Sequence, residues 1–219
     1  MAEWLSGFRR REPARGGFPG LIGMSVLFFV IGVLLGLAAK FLDTVSYDGS
    51  ILNYALAWLG NVFSRIGVWV LLAELIALYS KSPGRAALYV FLFFAGMLLA
   101  YYFYTTKLFG FFPRYYFLHW GMIALASPAL AWFAWFGRGE GWFSVLAAAL
   151  PAGLLLQQGL SFGFWYLYPS YPTELICAVA VLAVTCRGWK RLGITAGAAA
   201  AAAFLLQNTR VLSYLIGGL

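Results

Sequence analysis

Apolar runs about twenty residues long recur along the chain and limit its fold more than any other feature. A membrane-spanning helix needs about 20 mostly apolar residues. Seven candidate runs lie at 20–41, 61–80, 86–106, 115–136, 142–163, 172–186 and 192–207. Proline- or glycine-rich turns separate several of them. The pattern predicts an all-α integral membrane protein with a bundle of six to seven transmembrane helices. The number is given as a range because the last run is rich in small, weakly hydrophobic residues.

The composition excludes the soluble classes. Apolar residues make up 63% of the 219-residue chain and charged residues 10%, against roughly 45–50% and about 25% in globular proteins. So few charges cannot cover a soluble domain, and intrinsic disorder has the opposite signature of low hydrophobicity. We therefore predict one transmembrane helical domain over 20–219, preceded by a cytoplasmic, basic, amphipathic N-terminal segment over 1–19.

Lysine and arginine in the loops predict the orientation, because cytoplasmic loops carry an excess of them. A cytoplasmic N-terminus leaves five of the 15 basic residues outside: Lys40, Arg65, Lys107, Arg114 and Arg210. Segment 1–19 places Trp4, Leu5 and Phe8 beside Arg9–Arg11, which is typical of a basic amphipathic helix on the inner leaflet. Membrane lipids rather than nucleic acid then account for the net charge of +8.

A shorter apolar stretch, Ile51 to Leu59, lies between the first two runs. It is too short to cross a bilayer, so it predicts a short interfacial or re-entrant helix on the outer surface. Such a helix could cap a pocket or fill a gap between spans.

Glu74 is the one acidic residue well inside a predicted span. A carboxyl group at that depth costs a few kcal/mol and marks either a function or a buried partner. Ser127 and Ser25 reach a similar level by the helical rise per residue. We expect Glu74, Ser127 and Ser25 to form a buried polar layer. This layer could be a structural hydrogen-bond lock or a proton or ion relay.

The outer third of the predicted bundle holds most of the remaining polar residues, together with many aromatic residues. An ordinary interfacial aromatic belt accounts for many of these rings. Those that turn inward could line an outward-opening pocket with a few polar contacts. The candidate ligand-binding residues of this outer cavity are Tyr101, Lys107, His119, Gln157, Gln158 and Trp165.

Catalytic and metal-binding motifs are missing from the sequence, and we predict no catalytic residue, metal or cofactor. Cys177 and Cys186 are nine residues apart in one helical run, so they cannot form a disulfide. Glu174, two residues after a proline, is interpreted as a helix-start carboxylate. The pairs Gly32/Gly36 and Gly193/Gly197 favour close helix packing, within the bundle or between chains.

Several stretches carry a resemblance to a known family. They are 59–70, 79–87, 101–104, the Phe-Phe-Pro motif that precedes Tyr116, Ser127-Pro128 and 139–142. Over roughly 20–165 the chain resembles a family of small bacterial polytopic membrane proteins of unknown function. The resemblance implies an all-helical, multi-pass fold in a bacterial plasma membrane, and it implies no activity.

Three functions remain open from the sequence. The first is capture or movement of a small amphipathic solute or lipid through an outward-facing aromatic cavity, alone or with partner subunits. The second is a non-catalytic scaffold or accessory subunit, favoured by the glycine pairs. The third is an intramembrane lipid-modifying enzyme that uses Glu74 or His119. The missing motifs favour a protein that is not an enzyme.

Overall fold

In a computed structural model, Arg9 and residues 18–46, 48–162 and 165–209 are described, and nearly all of them are helical. The helices are α1 (Phe18–Asp43), α2 (Ile51–Phe63), α3 (Ile66–Tyr79), α4 (Pro83–Phe109), α5 (Arg114–Ala134), α6 (Gly141–Gly159), α7 (Pro172–Thr185) and α8 (Trp189–Thr209). A 3₁₀ turn, Trp135–Arg138, continues α5. Two short strands, β1 (Leu160–Phe162) and β2 (Leu167–Pro169), separate α6 from α7.

Four helical segments of the described chain are long and apolar enough to cross a membrane: Gly20–Asp43, Pro83–Phe109, Arg114–Arg138 and Gly141–Gly159. A fifth results if α2 and α3 together form one bent span. The all-α membrane fold is therefore confirmed. α7 has 14 residues and α8 is not among the four, so the count of six to seven spans and the cytoplasmic N-terminus stay predictions.

The second predicted span, 61–80, is broken in the structure. α2 ends at Phe63 and α3 begins at Ile66, with a bend of 65° between them. The Ser64 amide still makes the helical bond to the Gly60 carbonyl, and its hydroxyl donates to the same carbonyl, each at 2.9 Å, a side-chain contact that often bends helices. The helix ends at the next residue, Arg65, whose backbone is extended (φ −100°, ψ 154°). The short helix expected around 51–59 is thus present as α2, but it continues into the first residues of the predicted span.

The tightest helix contact joins α1 to α4 through glycines. A Cβ atom at Gly32 would lie 2.0 Å from the Phe93 carbonyl oxygen, and one at Gly36 would lie 2.4 Å from that of Met97. Gly96 of α4 meets the Phe29 carbonyl in the same way, at 2.4 Å. Small residues let two backbones approach this closely. The first glycine pair is therefore used inside the bundle.

A second core joins α6, α7 and α8 through alanines and small aliphatic residues. A Cβ atom at Gly153 would lie 2.8 Å from the Ala199 carbonyl oxygen. Ala152, Leu155 and Val181 are fully buried beside this contact. By contrast, a Cβ atom at Gly193 or at Gly197 would meet nothing within 4 Å. The second glycine pair is thus not part of this described helix contact.

The connection between α6 and α7 was not predicted from the sequence. α6 ends at Gly159 rather than continuing to residue 163, and β1 pairs antiparallel with β2. The register sets Leu160 opposite Pro169 and Ser161 opposite Tyr168. Short hairpins of this kind need turn chemistry rather than helical periodicity, so a search for apolar runs passes over them.

Arginines bind free carbonyl groups at the end of the bundle opposite the α1 C-terminus. Arg9 donates to the Leu78 carbonyl at 2.8 Å and to the Trp135 carbonyl, at the C-terminal ends of α3 and α5. Arg191 donates to the carbonyls of Gly137 and Gly139. Basic groups satisfy unpaired carbonyls at helix C-termini and interact favourably with the helix dipole. Apart from Arg9 and the first residues of α1, segment 1–19 lies outside the described residues.

Candidate functional site

A cavity of about 440 Å³ lies between α1, α3, α4 and the start of α5. This size falls within the range of about 300–1,000 Å³ that is usual for small-molecule sites. Most of the lining is aromatic or aliphatic, and the charged members both come from α1. The lining residues are Ala39, Lys40, Asp43, Phe63, Ser64, Trp69, Met97, Leu98, Tyr101, Tyr102, Thr105, Phe109, Phe111, Pro113, Tyr116 and Trp120.

The polar wall of the cavity is a cluster of Lys40, Asp43 and Tyr101. The Lys40 Nζ donates to Asp43 Oδ2 at 2.8 Å, and the Tyr101 hydroxyl donates to the same oxygen at 3.1 Å. The Lys40 side chain is 7% exposed and that of Asp43 is 38% exposed. One turn at the C-terminal end of α1 therefore places a buried cation and a half-exposed anion on the cavity wall.

Aromatic rings surround the lysine. Its Nζ lies 5.1 Å from the centre of the Tyr101 ring and 4.9 Å from that of Phe109. Ammonium groups within about 6 Å of a ring centroid are attracted by the ring quadrupole. These contacts and the Asp43 carboxylate stabilise a charge that would otherwise be costly to bury.

The bend between α2 and α3 shapes the opposite wall. The Trp69 indole Nε1 donates to the Phe63 carbonyl at 2.8 Å, across the break, and the two rings stack edge to face at 5.6 Å. In an unbroken helix the Phe63 carbonyl would accept a hydrogen bond from the backbone amide four residues later. The break removes that donor, and the indole takes its place. The break therefore positions Phe63, Ser64 and Trp69 on the cavity wall.

Of the six residues predicted to line an outer cavity, Tyr101 is on its wall. Lys107 and His119 are not among the lining residues: Lys107 is exposed, with its Nζ 5.7 Å from the Phe103 ring centre. The His119 Nδ1 lies 2.8 Å from the Tyr115 carbonyl of its own helix, in a contact that satisfies the ring locally.

The other three predicted residues lie near the end of α6 and the hairpin, away from the cavity lining. Gln157 and Gln158 are half-buried on α6, and Gln157 Oε1 has no hydrogen-bond partner within the described ranges. Trp165 is 97% exposed, beside the hairpin strand β2. The structure thus does not bring the six candidates together in one site.

The predicted inner polar layer is only partly assembled. Glu74 and Ser127 are both buried, whereas Ser25 is half-buried. The Ser127 hydroxyl donates to the Ala124 carbonyl of its own helix at 2.8 Å. Glu74 Oε1 has no hydrogen-bond partner in the part of the chain that is described. No hydrogen bond between described residues joins Glu74 to either serine.

Sequence reasoning missed the roles of Lys40 and Asp43. It interpreted Lys40 only as a charge that sets orientation and gave Asp43 no role. A signal was present, since a Lys and an Asp three residues apart at a helix end can pair on one face. The aromatic residues opposite them come from α4, and only the packing of α1 on α4 reveals that contact.

A second ion pair was also missed. Glu174 is in the first turn of α7, as its interpretation as a helix-start residue requires, but it is 1% exposed and accepts a hydrogen bond from Arg65 Nε. Thr173 donates to its other oxygen at 2.6 Å. The Arg65 guanidinium also stacks on the Tyr171 ring, 3.2 Å from its centre. The pair therefore fixes the start of α3 against the start of α7.

Within the described ranges, no group of three or more His, Cys, Asp or Glu side chains could hold a metal ion. The cavity wall offers one ammonium, one carboxylate, hydroxyl groups and aromatic faces. None of the lining residues is a histidine, the usual activator of a nucleophile, or a cysteine, the thiol nucleophile.

Comparison with known protein families gives a match over most of the chain. The model of a family of unknown function, DUF6518, matches residues 18–215. The chain belongs to this family. The match extends beyond the region 20–165 that carried the resemblance and takes in α7 and α8. Neither a curated protein nor a solved structure matches the chain.

Proposed function

We propose that this chain captures a small amphipathic solute or lipid in the cavity between α1, α3, α4 and α5. The observation that carries the proposal is the convergence of Lys40, Asp43 and Tyr101 on one wall of a cavity that is otherwise mostly apolar. Ligand sites commonly combine an apolar lining with a few placed polar groups. An amphipathic molecule matches such a lining, with its head at the cluster and its apolar part among the rings.

The predicted topology supports the same proposal. The cavity is formed by the C-terminal ends of α1 and α4 and by the start of α5, which all lie at one end of the bundle. With the N-terminus in the cytoplasm of a bacterial cell, this end faces outward across the plasma membrane. The ligand would then be captured from the outer leaflet or from the outside medium.

The two other functions receive less support. The scaffold hypothesis relied on two glycine pairs, and Gly32 and Gly36 pack against α4 of the same chain, so that only Gly193 and Gly197 are left for a partner chain. The enzyme hypothesis relied on Glu74 and His119, and neither lines the cavity.

Photo-crosslinking tests the proposal. The purified chain in maltoside micelles is irradiated with two diazirine-bearing probes, a fatty acid and a fatty amine, and the adducts are mapped by mass spectrometry. We expect at least one probe to label residues of the cavity wall. Ser64→Trp should reduce that labelling. Ser64 is exposed on the cavity wall, so a large ring can be placed there and would fill part of the cavity.

Leu99→Trp is the matched control, since it adds the same ring at a position on α4 that is 59% exposed and outside the cavity. Its labelling should equal that of the unmodified chain. Labelling confined to lipid-facing surfaces, unchanged by Ser64→Trp, would overturn the proposal.

A further inference from the structure

We infer that the cavity selects an anionic head group, a carboxylate or a phosphate, which binds the Lys40 ammonium in place of Asp43. This inference rests on the proposed function, because it names the class of amphipath that the same cavity would take. It follows from three features of the wall: the unused donors of Lys40, the exposed position of Asp43 and the helix N-terminus that α5 brings to the cavity.

The first feature is the hydrogen-bonding capacity of the lysine. An ammonium group has three N–H donors. Among the described residues, the Lys40 ammonium has one hydrogen-bond acceptor, Asp43 Oδ2 at 2.8 Å. Its remaining contacts are the rings of Tyr101 and Phe109, which accept no strong hydrogen bond. Two N–H groups on the cavity wall are thus left to bind an acceptor on a ligand.

The second feature is the ease with which Asp43 can leave. It follows Lys40 by three residues on the last turn of α1, and its side chain is 38% exposed. Water around an exposed carboxylate weakens its hold on a partner. Rotation of Asp43 toward water would free the ammonium, and the acid of the ligand would then replace it as the partner of the buried charge. In the absence of ligand, the carboxylate of Asp43 occupies the place that the ligand's acid would take.

The third feature is the charge around the cavity. The helix α5 begins at Arg114, directly after Pro113 of the cavity wall, so the positive end of its dipole lies at this wall. Arg114 itself is exposed. Arg65, next to Ser64 of the wall, is already neutralised by Glu174. The C-terminal ends of α1 and α4 also lie here, and Lys40 already complements that of α1, so the start of α5 is the helix end at which an anionic group is stabilised.

A cationic amphipath is the competing ligand, since rings and a carboxylate also recognise amines. Two observations disfavour it. The rings of Tyr101 and Phe109 already contact the Lys40 ammonium, and Asp43 Oδ2 already accepts two hydrogen bonds. An added cation at the same rings or carboxylate would lie close to the Lys40 ammonium and would be repelled by it.

Thermal stabilisation of the full chain in maltoside micelles tests the inference. The probes are dodecanoate, dodecyl phosphate and dodecylammonium, each below its micelle-forming concentration, with inorganic phosphate alone as the head-group control. We expect both anionic amphipaths to raise the melting temperature, and dodecylammonium and inorganic phosphate to leave it unchanged. The stronger of the two anions identifies the head group as carboxylate or phosphate.

Two variants locate the effect. Lys40→Gln should weaken anion binding at least tenfold, and Asp43→Asn should strengthen it several-fold by removing the internal competitor. Stabilisation by dodecylammonium that is lost in Asp43→Asn, or equal stabilisation by both charge types, would overturn the inference while leaving the proposed function in place. If no probe stabilises the unmodified chain and the cavity is not photolabelled, the proposed function itself fails.

A measurement on the unmodified chain guards against a Lys40→Gln variant that does not fold. Unlabelled dodecanoate and dodecylammonium are compared as competitors of the photolabelling fatty acid. Preferential competition by dodecanoate supports the inference, and preferential competition by dodecylammonium contradicts it.

Discussion

The two ion pairs near the cavity differ in nearly every physical respect. Lys40–Asp43 joins residues three apart on one helix, and its carboxylate is 38% exposed. Arg65–Glu174 joins residues 109 apart in the sequence, and its carboxylate is 1% exposed and held by a second hydrogen bond, from Thr173. The comparison teaches that burial of the anion, rather than the presence of a pair, separates a structural contact from an exchangeable one.

The largest effect is expected from Arg65→Met. It leaves the buried Glu174 carboxylate without its cation, which typically costs about 3–5 kcal/mol. The free energy of unfolding is measured by titration with a denaturing detergent in mixed micelles. Arg114→Met is the control, because Arg114 is exposed, and its effect should stay within about 0.5 kcal/mol. A loss below about 1 kcal/mol in Arg65→Met would remove the distinction between the pairs.

A smaller loss is expected from Asp43→Ala, about 1–2 kcal/mol, because the Lys40 ammonium loses its acceptor but keeps its two ring contacts. The double variant Lys40→Met/Asp43→Ala completes a cycle that isolates the pair. The coupling energy should be about 0.2–1 kcal/mol, as for pairs with an exposed partner. A coupling energy of about 3 kcal/mol or more, as large as the loss expected from Arg65→Met, would contradict the exchangeable character of Asp43.

Tyr101→Phe removes one hydrogen bond to Asp43 and nothing else. The contact is 3.1 Å long and reaches a half-exposed carboxylate, so the expected loss is about 0.5–1 kcal/mol. Tyr104→Phe on the same helix is the matched control and should change the unfolding free energy less. If Tyr101→Phe instead lowers the unfolding free energy as much as Arg65→Met does, Asp43 is held far more firmly than its exposure indicates.

The smallest effect is expected outside both pairs. Trp165 is 97% exposed beside the hairpin, so Trp165→Ala should change the unfolding free energy by no more than about 0.5 kcal/mol. Trp135→Phe serves as the contrast, since Trp135 is 1% exposed and its Nε1 donates to the Ser80 carbonyl at 2.7 Å. Equal losses in the two variants would mean that the hairpin contributes to folding as much as the core does.

The sequence predicted the helices well where hydrophobicity alone determines them. The runs at 20–41, 86–106 and 115–136 correspond to α1, α4 and α5 with its 3₁₀ extension, because an apolar stretch of that length satisfies its backbone in lipid only as a helix. The break at Ser64 was not predicted, since a serine hydroxyl that caps a carbonyl leaves no trace in hydropathy.

The site was harder to predict, because counting residues gives depth in the membrane but not rotation around the helix axis. Tyr101 lies on a cavity wall, whereas His119, at a similar predicted depth, contacts a carbonyl of its own helix. Lys40 reaches Tyr101 because Gly32 and Gly36 bring α1 against α4. That contact depends on two helices at once and cannot be obtained from either run alone.

The backbone contact between α1 and α4 also determines which side of the cavity can yield. Where glycines bring the main chains of α1 and α4 against each other, no side chain lies between them whose rotation could separate the two helices. Their spacing, and with it this side of the cavity, is therefore fixed. Phe111 and Tyr116, which also line the cavity, are more than half exposed. Rotation of these two rings would therefore change the width of the cavity, while α1 and α4 keep their spacing.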